Sequence, residues 1–583
     1  MMAAKTSRRA FLGTVGGLAL SVLAACQSVP SSPAADPAAR SGTPPGEPPT
    51  TTARTARQAT ATPRPTRTPV ADRRREPSRH IGAALPAAAG PPRRGGELRI
   101  GQDAAPLSLD PLLSAAPTSW GIFETLFAWR PDGRGAFGIA PMLATAWELT
   151  EDRLRLTLRD RVTFHDGSAL TADVVAWNLT RMMQHPDSTV RSVLSAVDPV
   201  RPARVLDPLT LQVDLTRPSA TILHALSDAT GAHGSGIVSQ AAADRRSEAA
   251  LAQHPVGTGP FQFVGYDPGD RLVVERNPRS WQVGADGLPL PYADRATVRF
   301  LPDRAARLAA LEAGTIDWLA NVPGRDVDAV RKRPHATYVA SARTGTAQQL
   351  VFNARKPPFA DNLPLRHAIL SAIDRDRLAR TLGGGLGIPL PYALLPGSLG
   401  YDTAVPTYGY DLARAKASFA ESGVSLPFTV RLTAQDQAAE REQAALLQTM
   451  LAEVGIVLAV ELVAPAIWDA RVREQQAFEL ATVSRQVSPD ALLELFPAWA
   501  DGGRTAYHGA TVPGLLETLQ RADAEADDRQ RHRHVVAAQR LTHEAAWTGP
   551  LWFENGNEVV HRRVRGVSAG AGPLREAAWW IGE

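Results

Sequence analysis

Leu158-Arg159-Asp160-Arg161-Val162-Thr163-Phe164-His165-Asp166-Gly167-Ser168-Ala169-Leu170-Thr171-Ala172-Asp173-Val174 carries the change of period that decides the fold class. Just before and into it, Leu154-Arg155-Leu156-Thr157-Leu158-Arg159 alternates apolar and polar residues, the pattern of a half-buried strand. Phe164-His165-Asp166-Gly167 ends that alternation with turn chemistry, Asp bonding its own backbone and Gly allowing φ above zero. Thr171 then offers an N-cap oxygen to a helix carrying Val174, Trp177 and Met182 near helical spacing. A strand that turns directly into a helix predicts an α/β unit.

Working outward, the same logic recurs with different residues. Gly95-Gly96-Glu97-Leu98-Arg99-Ile100-Gly101 reads as a short alternating strand after a glycine pair, and residues 107–111 as a loop. Leu209-Thr210-Leu211-Gln212-Val213-Asp214-Leu215 alternates as a strand, and Gly257-Thr258-Gly259-Pro260-Phe261 is a tight turn entering another. Residues 304–313 predict a helix with Gly314 at its C′ position, and Ile316-Asp317-Trp318 a return to strand. Residues 440–453 predict an amphipathic helix, followed by a strand at Val457-Leu458-Ala459-Val460-Glu461-Leu462. The chain has no repeat of fixed period. At 583 residues it exceeds one ordinary core, so two or more lobes are expected.

The pI near 9.3 suggests a nucleic-acid partner until the charge is located. Lys5, Arg8 and Arg9 stand in the first 26 residues without an acid, and residues 27–93 carry ten arginines against Asp36, Glu47, Asp72 and Glu76. That leaves residues 94–583 with 50 basic and 55 acidic side chains, a mildly acidic body with no electrostatic footprint for nucleic acid. Residues 27–93, rich in Pro, Ala, Thr and Arg, read as a disordered linker with a root-mean-square reach of roughly 40–50 Å.

Ser7-Arg8-Arg9-Ala10-Phe11-Leu12 resembles a twin-arginine export signal, and Leu23-Ala24-Ala25-Cys26 resembles the end of a lipoprotein signal. Gly13 stands where the twin-arginine pattern often has Lys. Cys26 is the only cysteine of the chain, so the expectation is an extracytoplasmic protein lipid-anchored through Cys26 and without an internal disulfide.

Several segments together resemble the extracytoplasmic solute-binding proteins of family 5, which serve peptide and nickel ABC importers. In chain order these are Gly95-Gly96-Glu97-Leu98-Arg99-Ile100, Leu109-Asp110-Pro111, Pro141-Met142-Leu143-Ala144 with Trp147-Glu148, and the block at residues 158–174. Gly257-Thr258-Gly259-Pro260-Phe261, Arg276-Asn277-Pro278 with Trp281, Phe352-Asn353, Lys356-Pro357-Pro358-Phe359 and Leu365-Arg366 through Ala372-Ile373-Asp374-Arg375 follow. The resemblance implies a two-lobed α/β periplasmic-binding-protein clamshell of type II with an additional smaller domain. It places lobe I at 94–122, 256–343 and 549–583, the additional domain II at 123–255, and lobe III at 344–548. It also implies a monomer that captures a small-molecule or peptide ligand between the lobes and hands it to ABC permease subunits. A sensory ligand-binding protein is the alternative, and an extracytoplasmic hydrolase a weaker one.

Peptide-binding members hold the ligand's α-amino group with an Asp just before a Pro-Asp pair. Anchoring on Pro489-Asp490 puts Arg485 at that position. A guanidinium prefers a carboxylate or phosphate, so the expectation is an anionic or acceptor group on the ligand here, or else Arg485 paired with a neighbouring acid. Trp120, Trp499 and Trp552 are candidates for cleft walls or for core packing, and Asn353 for a cleft amide or a turn cap. His165-Asp166 reads as a turn rather than a metal or catalytic pair. His532 and His534, two apart on a helix, face different ways. No GxSxG, Walker A, HExxH or CxxC occurs, so neither an enzyme, a metal site nor a cofactor is expected.

Overall fold

The computed structural model describes residues 90–582 apart from Leu107 and residues 115–119, 132–136, 229–233, 320–321, 391–393, 395–399, 488–489, 500–502, 504, 526 and 568–577. Arg8, Arg9, Cys26 and the linker to residue 89 lie outside the described residues.

The alternation at 154–158 does form a strand, with Leu154, Leu156 and Leu158 buried along one face. The first strands are β1 (Glu97–Gln102), β2 (Phe127–Pro131), β3 (Phe137–Pro141), β4 (Ala144–Leu149), β5 (Arg153–Leu158), β6 (Arg204–Asp207) and β7 (Thr210–Asp214). β4, β5, β7 and β6 build an antiparallel four-stranded sheet in that order, and β2 with β3 a separate hairpin. Thr171 caps the helix Ala172–Gln184 by accepting from Val174 N, as its side chain and position require.

Apart from a short antiparallel pair, Val564–Arg565 with Trp580–Ile581, the remaining strands join β1 in one large mixed sheet. They are β8 (Phe261–Asp267), β9 (Arg271–Arg276), β10 (Arg295–Phe300), β11 (Trp318–Leu319), β12 (Ala336–Phe352), β13 (Ile388–Pro389), β14 (Phe428–Gln435), β15 (Ile456–Val463), β16 (Leu480–Gln486) and β17 (Thr548–His561). Their order is β15-β14-β16-β12-β17-β11-β1-β10-β9-β8, with β13 beside β17. β12 and β17 are the long members, and their antiparallel register slips between Ala340 and Gly345. On one side of the slip β17 pairs with β11; on the other β12 pairs with β16 and β17 with β13. These two strands connect the β14–β16 part of the sheet to the β1–β10 part, and the slip interrupts their ladder between them.

Three of the quoted sequence blocks meet at one place. His165 N donates to Gly257 O at 2.9 Å, and His165 Nε2 lies 2.9 Å from Gly259 O. Asn277 Nδ2 donates to the same Gly259 carbonyl at 2.9 Å. A Cβ on Gly259 would stand 2.1 Å from Gly121 O, and one on Gly257 2.1 Å from Ile122 O, so only glycine lets these strands approach.

The apolar cores follow the sheets. Leu98, Ile100, Trp120, Val298 and Trp318 fill one beside β1, and Leu350, Phe352, Ile369, Leu432 and Leu480 another beside β14 and β16. A third joins the four-stranded sheet, through Leu154 and Leu156, and Phe127 of the β2–β3 hairpin to Leu495, Phe496, Leu519 and Val535. Those last residues sit on the helices Leu492–Trp499, Leu515–Ala524 and Asp528–Ala545, which the chain inserts between β16 and β17.

Candidate ligand-binding cleft

Ile122-Phe123-Glu124-Thr125-Leu126-Phe127 places one acid inside an apolar run, and the fold buries it. Glu124 accepts from Thr258 Oγ1 at 2.7 Å, Trp281 Nε1 at 2.9 Å and Gln282 Nε2 at 2.6 Å. Burial lifts its carboxyl above the ordinary range, with those three donors and the Arg159 charge opposing. Glu124, Met142 and Gln282 line a small open cavity of about 20 Å³, room for little more than a water molecule.

Arg130 and Asp228 complete the wall of that cavity. Asp228 is positioned by Trp129 N, which donates to its Oδ1 at 2.6 Å, and its Oδ2 takes Arg130 Nη1 at 2.6 Å. The Trp129 ring meets the His224 ring edge-on at 4.8 Å. His224 Nδ1 in turn lies 3.0 Å from Asp490 Oδ2, close enough for an ion pair though outside hydrogen-bond geometry. Asp490 also takes Arg531 Nη2 at 2.9 Å and Leu492 N at 3.0 Å. Burial alone would raise the Asp490 carboxyl; Arg531 and His224 instead hold it far below the usual range.

Arg485 stands on β16 opposite Ala347 of β12 and forms a half-buried ion pair with Glu494 of the following helix. Burial lowers the guanidinium to about 10, so it stays charged at neutral pH. Of the two readings open for Arg485, pairing with a neighbouring acid is the one found. A ligand carboxylate reaching Arg485 would share the guanidinium with Glu494.

The other candidates are placed as follows. Trp120 packs in the core beside β1 against Phe300, with ring centroids 6.2 Å apart. Trp499 lies 4.3 Å from the buried His508 ring, and Trp552 is held in the β14/β16 core by donating Nε1 to Gln443 Oε1 at 2.8 Å. Asn353 spends its amide on Gln476 O and Phe478 O, each at 2.8 Å, and its carbonyl accepts from Arg355 N. All four serve packing or turn geometry. His165 and Asp166 are likewise turn residues, Asp166 accepting from Ser168, Ser239 and Arg245. His532 Nδ1 accepts from Gly400 N. Among the described residues no cluster of His, Cys, Asp and Glu has a metal-holding arrangement.

Sequence reasoning missed Glu124, Arg130, His224 and Asp228. For Glu124 a signal existed, since an acid in an apolar run must find buried donors. Arg130, His224 and Asp228 carry none, because their partners lie as much as 98 and 266 residues away. What these residues can do is recognise polar groups of both signs.

Known proteins resemble the chain in sequence and in fold. A model of bacterial extracellular solute-binding proteins, family 5 Middle, matches residues 138–504. The chain is similar to the probable D,D-dipeptide-binding periplasmic protein of Escherichia coli (strain K12), 26% identical over 490 residues, covering 80% of this chain and 90% of that one. It is 28% identical over 343 residues to the glutathione-binding protein of Pectobacterium atrosepticum, covering 58% of this chain and 63% of that one. Among solved structures, the Helicobacter pylori ABC transporter-associated periplasmic binding protein in complex with peptide STSA superposes with a TM-score of 0.75. That match is 23% identical and covers 84% of this chain and 99% of the other. The agropinic acid complex from A. tumefacien R10 gives 0.74 at 25% identity, again over 84% and 99%. The fold is the two-lobed type II clamshell.

Proposed function

Because the chain belongs to the bacterial extracellular solute-binding proteins of family 5, it acts as the extracytoplasmic binding subunit of an ABC importer, and we propose that its solute is a short peptide or peptide-like amino-acid derivative. The observation that carries this reading is the similarity over most of both chains to a D,D-dipeptide-binding relative. Arg130 and Asp228, which pair with each other at the wall of the small cavity, would complement a zwitterion only by parting. In this reading the solute's amine is not held at position 485, since Arg485 stands there and faces Glu494.

The same proposal has the chain bind and release without chemical change, work as a monomer, and stay at the membrane through lipid on Cys26. ATP hydrolysis and translocation belong to the permease complex. Affinity then comes from contacts made only when the lobes close.

Mass spectrometry of the protein purified from its membrane tests both parts. The intact mass is expected to carry diacylglycerol on Cys26. Under native conditions a one-to-one adduct is expected, with fragments that include amino-acid residues. An adduct that is a metal chelate or a carbohydrate would overturn the solute class while leaving the family unaffected.

A further inference from the structure

Residues 217–221 leave β7 of the small sheet and end at a single carboxylate far along the chain. Asp523, 1% exposed, takes Arg217 Nη1 at 2.6 Å, Ser219 Oγ at 2.9 Å and Thr221 N at 3.0 Å. Its own backbone carbonyl accepts from Ala220 N at 2.8 Å. Arg531 extends the contact by donating Nη2 to Thr221 Oγ1 at 3.1 Å as well as to Asp490. The Arg217 guanidinium also lies over the Phe496 ring, 5.6 Å from its centroid.

Asp523 belongs to the helices inserted between β16 and β17, and those helices are tied to the β14/β16 half of the large sheet. Tyr408, whose ring packs in that half's core, donates its hydroxyl to His543 O. Gly400 N donates to His532 Nδ1 at 3.1 Å, and Gln539 Nε2 donates to Gly400 O. Any movement of the four-stranded sheet away from those helices has to part residues 217–221 from Asp523, together with the apolar contacts of Leu495, Phe496, Leu519 and Val535.

We propose that Asp523 is a protein-to-protein clasp that sets the balance between open and closed lobes, and so sets solute affinity without touching solute. The reasoning is one of populations. Apparent affinity scales with the fraction of molecules already in the competent state, and a contact made only when closed raises that fraction. In the open state the carboxylate and Arg217 are each rehydrated, so the clasp can part without stranding a buried charge. The inference rests on the two-lobed fold and not on the identity of the solute.

Hydrogen exchange of the full chain, dialysed free of solute, tests it. Ala220 and Thr221 amides are expected to exchange slowly in the wild type and fast in Asp523→Ala. The radius of gyration from small-angle scattering is expected to rise in the variant. Amides of β7 such as Val213 are expected to keep their protection, which separates loss of the clasp from unfolding. Arg217→Ala is the second variant, weakening the same contact from the other side. Equal protection at 220–221 in wild type and variants would overturn the proposal. So would fast exchange there in the wild type, or loss of β7 protection together with the clasp.

Discussion

Arg485 and Glu494 pair within a span of nine residues, both half-buried, one on a strand and the other on the next helix. Removing either partner leaves an uncompensated charge, so Arg485→Ala or Glu494→Ala is expected to lower stability by about 3 kcal/mol. The double variant Arg485→Met with Glu494→Leu is expected to sit closer to the wild type than either single change. Urea unfolding reads the cycle; a harmless Arg485→Ala would return this residue to the solute. The buried histidines give a second residue-scale expectation. His165 titrates at about 4 because burial lowers it, with the Arg279 charge adding and Gly259 O and Asp166 opposing. His508 also titrates at about 4, lowered by burial and raised by Ala498 O. Both folded values lie below the unfolded value of about 6.5, so the stabilisation is complete above that pH. It is lost as pH falls from about 6.5 to 4, by up to about 3 kcal/mol for each. Urea midpoints at pH 7 and 4.5 check this, and His165→Gln is expected to flatten the slope. An unchanged slope would contradict it.

At the scale of elements, the turn at 257–261 works because two glycines let it press against residues 121–122. Gly259→Ala forces a Cβ onto a backbone carbonyl and is expected to cost about 1–3 kcal/mol by urea unfolding. A neutral result would mean that segment 121–122 can yield. Elements of this kind were largely legible. The strand at 153–158, the Thr171 cap and the helix Arg304–Glu312 ending at Gly314 all rest on local chemistry that the sequence displays. The candidate site was much less legible. A tryptophan such as Trp120 buries its ring in a core or a cleft equally well, and the choice depends on Phe300, 180 residues away. Asn353 could present its amide either way, and the turn at 476–478 claims it. Arg130 and Asp228 meet only because the hairpin β2–β3 and the segment after residue 226 fold together.

For the whole molecule, family membership and the two-lobed clamshell agree on a solute-binding protein. The block at residues 158–174 and its companions were enough to read that architecture. The packing of helices 492–545 on the small sheet was not, since those contacts join residues some 300 positions apart. The central claim concerns the solute, and a thermal-unfolding screen tests it most directly. Residues 94–583 would be melted with pools of short peptides including glutathione and D,D-dipeptides, and separately with oligosaccharides and nickel chelates. A solute at 100 times its Kd adds about 2.7 kcal/mol, enough to raise the midpoint by a few degrees. The account predicts that rise with a peptide pool. A rise with oligosaccharides or nickel chelates, and none with peptides, would contradict it.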